Sequence, residues 1–182
     1  MKKILCVLLS LVFVLSFTAC KKESKTNEST VDLEYYANLG KIPESKYSLG
    51  ADVDTLTNEL SEFAESEEGA ESLYDVSEGE ETVCITNGIY NFYYDKDKKQ
   101  DGINYIVSFE TAYGFETGEV ILTVKEAIGD IKYTEEEVNE DNAFFLPFIS
   151  EGSVLKCEFQ KNTIMFVFEN NALCATAIYQ NN

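Results

Sequence analysis

Two stretches decide how this chain is read: "LGADVDTLTNEL" at residues 49–60 and "TGEVILTVKEAIG" at residues 117–129. Setting Gly50 on Gly118 brings Thr55 onto Thr123, Leu56 onto Val124 and Leu60 onto Ile128 without a gap. In the first stretch Val53, Leu56, Leu60 and then Phe63 recur at helical spacing, and Asp52 or Asp54 can cap the start by accepting from the free N–H groups of the first turn. In the second, Val120, Val124, Ala127 and Ile128 mark the apolar face and Gly129 stops the helix. Each stretch predicts an amphipathic helix of about three turns.

Each helix is followed by an acidic stretch and then by runs dominated by aromatic and β-branched residues, which favour strands. After the first helix these are "SLYDV", "ETVCIT", "GIYNFYY" and "GINYIVSFETAY"; after the second they are "AFFLPF", "SVLKCEF", "NTIMFVF" and "NALCATAIY". Alternation aligns Tyr90, Phe92 and Tyr94 with Ile164, Phe166 and Phe168, and Ile103, Tyr105, Val107 and Phe109 with Leu173, Ala175, Ala177 and Tyr179. The expected fold is α+β: two tandem helix-plus-four-stranded antiparallel sheet repeats, residues 49–116 and 117–182, forming one curved sheet with helices on one face. One copy alone would leave a sheet face uncovered and be marginal. Residues 32–48 form a lead-in without a counterpart, and Tyr35, Tyr36, Leu39 and Ile42 suit it to pack on the domain.

This arrangement, with the "LGADVDTLTNEL" type of helix opening, resembles the tandem repeat of the β-lactamase-inhibitor-protein-like (BLIP-like) fold of small exported bacterial proteins and lipoproteins. The resemblance covers most of Leu49 to Tyr179. It implies a sheet whose open face can hold a protein partner through aromatic and acidic side chains. Inhibitory members carry a disulfide within each repeat, whereas Cys84, Cys157 and Cys174 do not offer one pair per repeat. Cys157 and Cys174 fall on the second and fourth strands of a meander, about 10 Å apart and beyond disulfide reach. The resemblance therefore carries the fold and not the inhibition of a β-lactamase.

The first residues, "MKKILCVLLSLVFVLSFTAC", place Lys2 and Lys3 before an apolar run from Ile4 to Phe17, the pattern of an export signal and too short for an ordinary membrane span. "FTAC" resembles a lipobox. Residues 1–19 read as a lipoprotein signal peptide and Cys20 as the lipidated first residue of the mature chain, anchored to the bacterial cell membrane on its extracytoplasmic side. Two acyl chains suffice for stable anchoring where one does not. Residues 20–31 are polar and without apolar period, a flexible tether.

The 182 residues carry 33 carboxylates against 14 cationic side chains, all lysine, for a net charge of −19, with no His and no Trp. Binding to nucleic acid needs clustered cations, so that partner class is excluded. The membrane is met through the lipid, since an acidic domain is repelled by anionic headgroups.

Without histidine or a G-x-S-x-G elbow, and with thiols in strand patterns lacking a basic neighbour, nucleophilic catalysis has no constellation to use. No metal site and no cofactor is expected. The stretch "NFYYDKDKKQDGINY", residues 91–105, spaces Asp95, Asp97 and Asp101 like a calcium loop, but the twelfth residue from Asp95 is Ile106 instead of a bidentate glutamate, and Lys96, Lys98 and Lys99 oppose a cation. It reads as an extended hairpin tip. The acidic runs "SEFAESEEGAES" and "YTEEEVNEDN" read as solvated helix ends and loops. If Tyr90, Phe92 and Tyr94 face the helices, then Asn91, Tyr93, Asn104, Ile106 and Glu110 lie on the open face as candidate partner contacts. The expectation is a non-enzymatic, lipid-anchored binder of a protein or envelope ligand. The alternatives are a carboxylate-dependent hydrolase of cell-wall or sugar material, and an envelope assembly factor or chaperone.

Overall fold

The computed structural model describes residues 31–66, 68–69, 72–139, 142, 144–146, 149 and 151–181. The expected signal peptide, Cys20 and all of the tether except Val31 lie outside them.

Helix α1 (Leu33–Leu39) is capped by Asp32, whose carboxylate accepts from the Tyr35 N–H at 2.9 Å, and it ends on left-handed Gly40. Helix α2 (Val53–Glu65) is capped by Asp52 through Thr55, and buries Val53, Leu56 and Leu60, while Phe63 stays exposed. Strands β1 (Asp75–Glu78), β2 (Thr82–Thr86), β3 (Tyr90–Asp95) and β4 (Tyr105–Ser108) follow, then helix α3 (Ile121–Ile128), then β5 (Thr134–Glu137), β6 (Ser153–Glu158), β7 (Asn162–Glu169) and β8 (Ala172–Gln180). All eight strands form one antiparallel sheet in the order β1-β2-β3-β4-β8-β7-β6-β5. Two four-strand meanders, each preceded by a helix, meet where β4 pairs with β8.

The pleat sends alternate residues to opposite faces. One transverse row, Ile85, Phe92, Ile106, Ile178, Ile164 and Cys157, crosses six strands from β2 to β6 and is buried throughout beneath the apolar faces of the three helices. The neighbouring row, Cys84, Tyr93, Tyr105, Tyr179, Thr163 and Glu158, faces the other way. Beyond it Val107, Ala177, Met165, Ala175, Val167 and Val154 form a smaller second core with Phe145, flanked by Val138, Leu146 and Ile149.

The two halves share detailed contacts. The Gly50 N–H donates to the Ile103 carbonyl at 2.7 Å and the Ile103 N–H to the Ala51 carbonyl at 3.0 Å; Gly118 donates to Leu173 at 2.7 Å and Leu173 to Glu119 at 2.8 Å. Tyr47 packs edge-on against Phe92 with ring centroids 5.5 Å apart, and Phe115 packs edge-on against Phe166 at 5.4 Å. Tyr47 lies three residues before Gly50 and Phe115 three residues before Gly118.

The rest of the lead-in ties the halves together. Ala37 and Ile42 are fully buried, whereas Tyr35 and Leu39 are exposed. The buried Asn162 side chain donates to the Ala37 carbonyl at 2.6 Å, and the Glu44 carboxylate accepts from the N–H groups of Tyr113 and Gly114, both at 3.2 Å.

Several expectations change. The first strand after α3 is Thr134–Glu137, inside the acidic run expected as loop. The stretch 143–148, expected as that strand, instead contributes Phe144, Phe145 and Leu146 to the connector over the second sheet face, where Phe145 is buried. The "SLYDV" strand begins later, at Asp75. On α3 the first buried anchor is Ile121, with Val120 and Ala127 exposed. The loop 96–101 joins the antiparallel pair β3 and β4, as the hairpin reading has it, and it is docked as well. It is a 3-10 turn, Lys99 pairs with Asp54 of α2, and a Cβ on Gly102 would lie 2.6 Å from the Ala51 carbonyl oxygen.

Candidate functional site: a tyrosine-floored cleft

The sequence-predicted site residues separate. Asn91 and Tyr93 lie on the second face as expected. Ile106 does not: it pairs with Phe92 and is fully buried beneath the helices. The reason is a long-range pairing. Ile103 leaves the sheet to bond Gly50 and Ala51, so the helix-facing positions Ile103 and Ile106 are three apart, and strict alternation across Asn104 fails. Tyr105 consequently turns to the second face. Glu110 lies in the exposed turn after β4. Asn104 sits where β3, β4 and β8 end together, its N–H donating to the Tyr93 carbonyl and its own carbonyl accepting from Gln180.

At that end the second face opens into a cleft of about 430 Å³. Tyr105 and Tyr179, opposite each other on β4 and β8, stack with ring centroids 4.9 Å apart and planes within 4°. Tyr93 meets Tyr105 edge-on at 6.0 Å, and Phe144 from the connector packs edge-on against Tyr93 at 5.3 Å and Tyr105 at 5.2 Å. Edge-to-face pairs of this kind add roughly 0.5–1.5 kcal/mol beyond burial, so these rings form a fixed wall. Tyr93 is itself nearly buried, its hydroxyl accepting from Asn91 at 3.1 Å and hydrogen-bonded to Cys84. Asn91 therefore orients the tyrosine from behind. The most exposed ring of the wall is Phe144, at 43 %, and Tyr105 and Tyr179 are half-buried.

Polar groups form the opposite rim. The Asp95 carboxylate accepts from the Asn104 side-chain amide at 2.9 Å and pairs with Lys98 at 3.4 Å. Asp101, Gly102, Gln180 and Asn181 complete it. Burial, then the neighbouring phenols of Tyr179 and Tyr93, push the Tyr105 hydroxyl well above its ordinary pKa, and burial raises Tyr93 and Tyr179 too. All three phenols stay protonated at physiological pH and can donate as well as accept.

The thiols are placed for structure. Burial pushes Cys157 up to about 12 and Cys174 up to about 11, and it raises Cys84, so none is a ready thiolate. Cys157 faces the helices and Cys174 the second core, and among the described residues the three cysteines, with Cys84, are free of disulfides. Among the described residues no group of three or more acidic or cysteine side chains is placed to hold a metal ion, and no helix is long and apolar enough to cross a membrane. A second hollow of about 550 Å³ lies beside Asn170 and Asn171 and has no aromatic wall. No protein-family model, curated protein or solved structure matches the chain.

The aromatic wall was only partly legible. Tyr93 carried a signal through strand alternation, but Phe144 arrives from a connector and Tyr179 from the last strand. The sequence pattern that could have joined them is the cross-strand register Tyr93, Tyr105, Tyr179, which depends on how β4 meets β8.

Proposed function

We propose that this chain is a lipid-anchored, extracytoplasmic binding protein without catalytic activity, held to the cell membrane through Cys20. Its body is a tandem duplication of a helix and a four-strand meander, in the manner of the BLIP-like fold. Support for the duplication comes from the paired backbone bonds of Gly50 and Gly118, and from the matched ring pairs Tyr47 with Phe92 and Phe115 with Phe166. The described residues of the connector between β5 and β6 lie over the second core and reach Tyr93 and Tyr105 of the first half through Phe144 and Phe145, whereas β1 and β2 are joined by residues 79–81 alone. The cleft lies at the edge where Phe144 of the connector meets Tyr93 and Tyr105.

The observation that carries the binding reading is the convergence in one cleft of a rigid aromatic wall, with a half-exposed ring, and a polar rim. Pockets of about 300–1,000 Å³ with a few convergent polar groups are the usual form of a ligand site. Full-length protein in detergent should capture a component of envelope extract that the Phe144→Ala variant captures at least about tenfold less well. Equal capture by both would remove the cleft from the function. Phe144 is a cleaner probe than Tyr93, whose ring supports the second core.

A further inference from the structure

We infer that the cleft takes a neutral saccharide, an assignment that rests on reading the chain as a binding protein. Phe144 presents a ring, fixed edge-on by Tyr93 and Tyr105, to solvent at the mouth of the cleft. The carbon-bound hydrogens on one face of a sugar ring can cover such an aromatic surface. Around it, hydrogen-bonding capacity of both signs is unspent. Asn104 commits one amide hydrogen to Asp95 and keeps its side-chain oxygen. Within the described residues, the Gln180 carboxamide, the Asp101 carboxylate and the Tyr105 hydroxyl have no side-chain partner. A ligand that satisfies this rim must offer donors and acceptors together, as vicinal hydroxyls do.

Charge and shape turn away the other classes. An anion meets Asp95 and Asp101, and the one cation on the rim, Lys98, is already paired with Asp95. An acyl chain would strand the rim groups without partners. A quaternary ammonium needs several open ring faces, yet Tyr105 is closed by the stacked Tyr179 and by contacts with Phe144 and Phe145, and Lys98 stands at the mouth.

The test is a glycan array of neutral and acidic oligosaccharides probed with the full chain in detergent, followed by titration of the best neutral ligand, with choline and inorganic phosphate as competing probes. The expected result is binding of a neutral oligosaccharide, unaffected by choline or phosphate and weakened about tenfold or more in both Phe144→Ala and Gln180→Ala. Unchanged thermal midpoints in the two variants will show that the fold persists, and Gln180, on the exposed rim, keeps the test sharp if Phe144→Ala unfolds. Absence of neutral binding, equal binding by both variants, or displacement by choline overturns the assignment. If no neutral glycan binds but envelope capture still depends on Phe144, the saccharide falls and the binding reading stands.

Discussion

At the scale of single residues, the backbone contacts of Gly102 show what the loop after β3 is for. Gly102 has φ near +78° and its α-carbon faces the carbonyls of Gly50 and Ala51, so a methyl group there meets both strain and overlap. Gly102→Ala should destabilise the protein by about 2–3 kcal/mol in denaturant unfolding, a cost expected where a left-handed position loses its glycine. A change within about 0.5 kcal/mol would mean that the loop does not dock on the start of α2. Of the aspartates that made this loop look like a calcium site, Asp95 takes Asn104 and Lys98, and Lys99 of the same loop crosses to Asp54. The twin ring pairs make a second prediction. Phe92 and Phe166 are both fully buried beneath their edge-on partners, so Phe92→Ala and Phe166→Ala should each cost about 3–5 kcal/mol. A cost confined to one of them would count against the proposed duplication.

At the scale of elements, the helices were the most legible part of the sequence and the connectors the least. Helical spacing located Leu56, Leu60, Val124 and Ile128, all of which are buried, because a surface helix must turn one stripe to the core. The alternation of "GIYNFYY" likewise located β3. Alternation failed across Asn104 because Ile103 takes its hydrogen bonds from the chain before α2, a long-range event that no local pattern carries. The connector with Phe144 and Phe145 was misread for a related reason: an aromatic run looks the same whether it pairs as a strand or caps a sheet face. Helix capping adds a pH prediction. Hydrogen bonds from the Thr55 side chain and then its N–H hold the Asp52 carboxyl below the usual carboxylate range. Because the folded-state value is the lower one, the stabilisation is present above the unfolded value near 3.9 and is lost as pH falls through the folded value. Relative to wild type, Asp52→Asn should therefore lower the thermal midpoint at neutral pH, and the difference should shrink as the solution is acidified below about pH 4. A constant difference from pH 7 to pH 3 would show that the charge on Asp52 plays no part.

At the scale of the whole molecule, a single sheet is covered by helices on one side and by its own connector over part of the other. Thiol chemistry reports on that division. In denaturant all three of Cys84, Cys157 and Cys174 should react; in the folded protein Cys157, fully buried under the helices, should be the slowest. Rapid reaction of native Cys157 would contradict the register of β6. Anchoring is tested separately: Cys20→Ala should move the protein from the membrane fraction to the soluble fraction, and an unchanged membrane fraction would refute lipidation.

The central claim, that ligand is held in the tyrosine-floored cleft, is tested most directly by photo-crosslinking in cells. A photoreactive phenylalanine analogue is placed either at Phe144, in the mouth of the cleft, or at Tyr35, an exposed ring on α1. The account predicts a discrete crosslinked product from position 144 that Gln180→Ala abolishes, and none from position 35. Crosslinks of equal yield from both positions, or none from position 144, would contradict it.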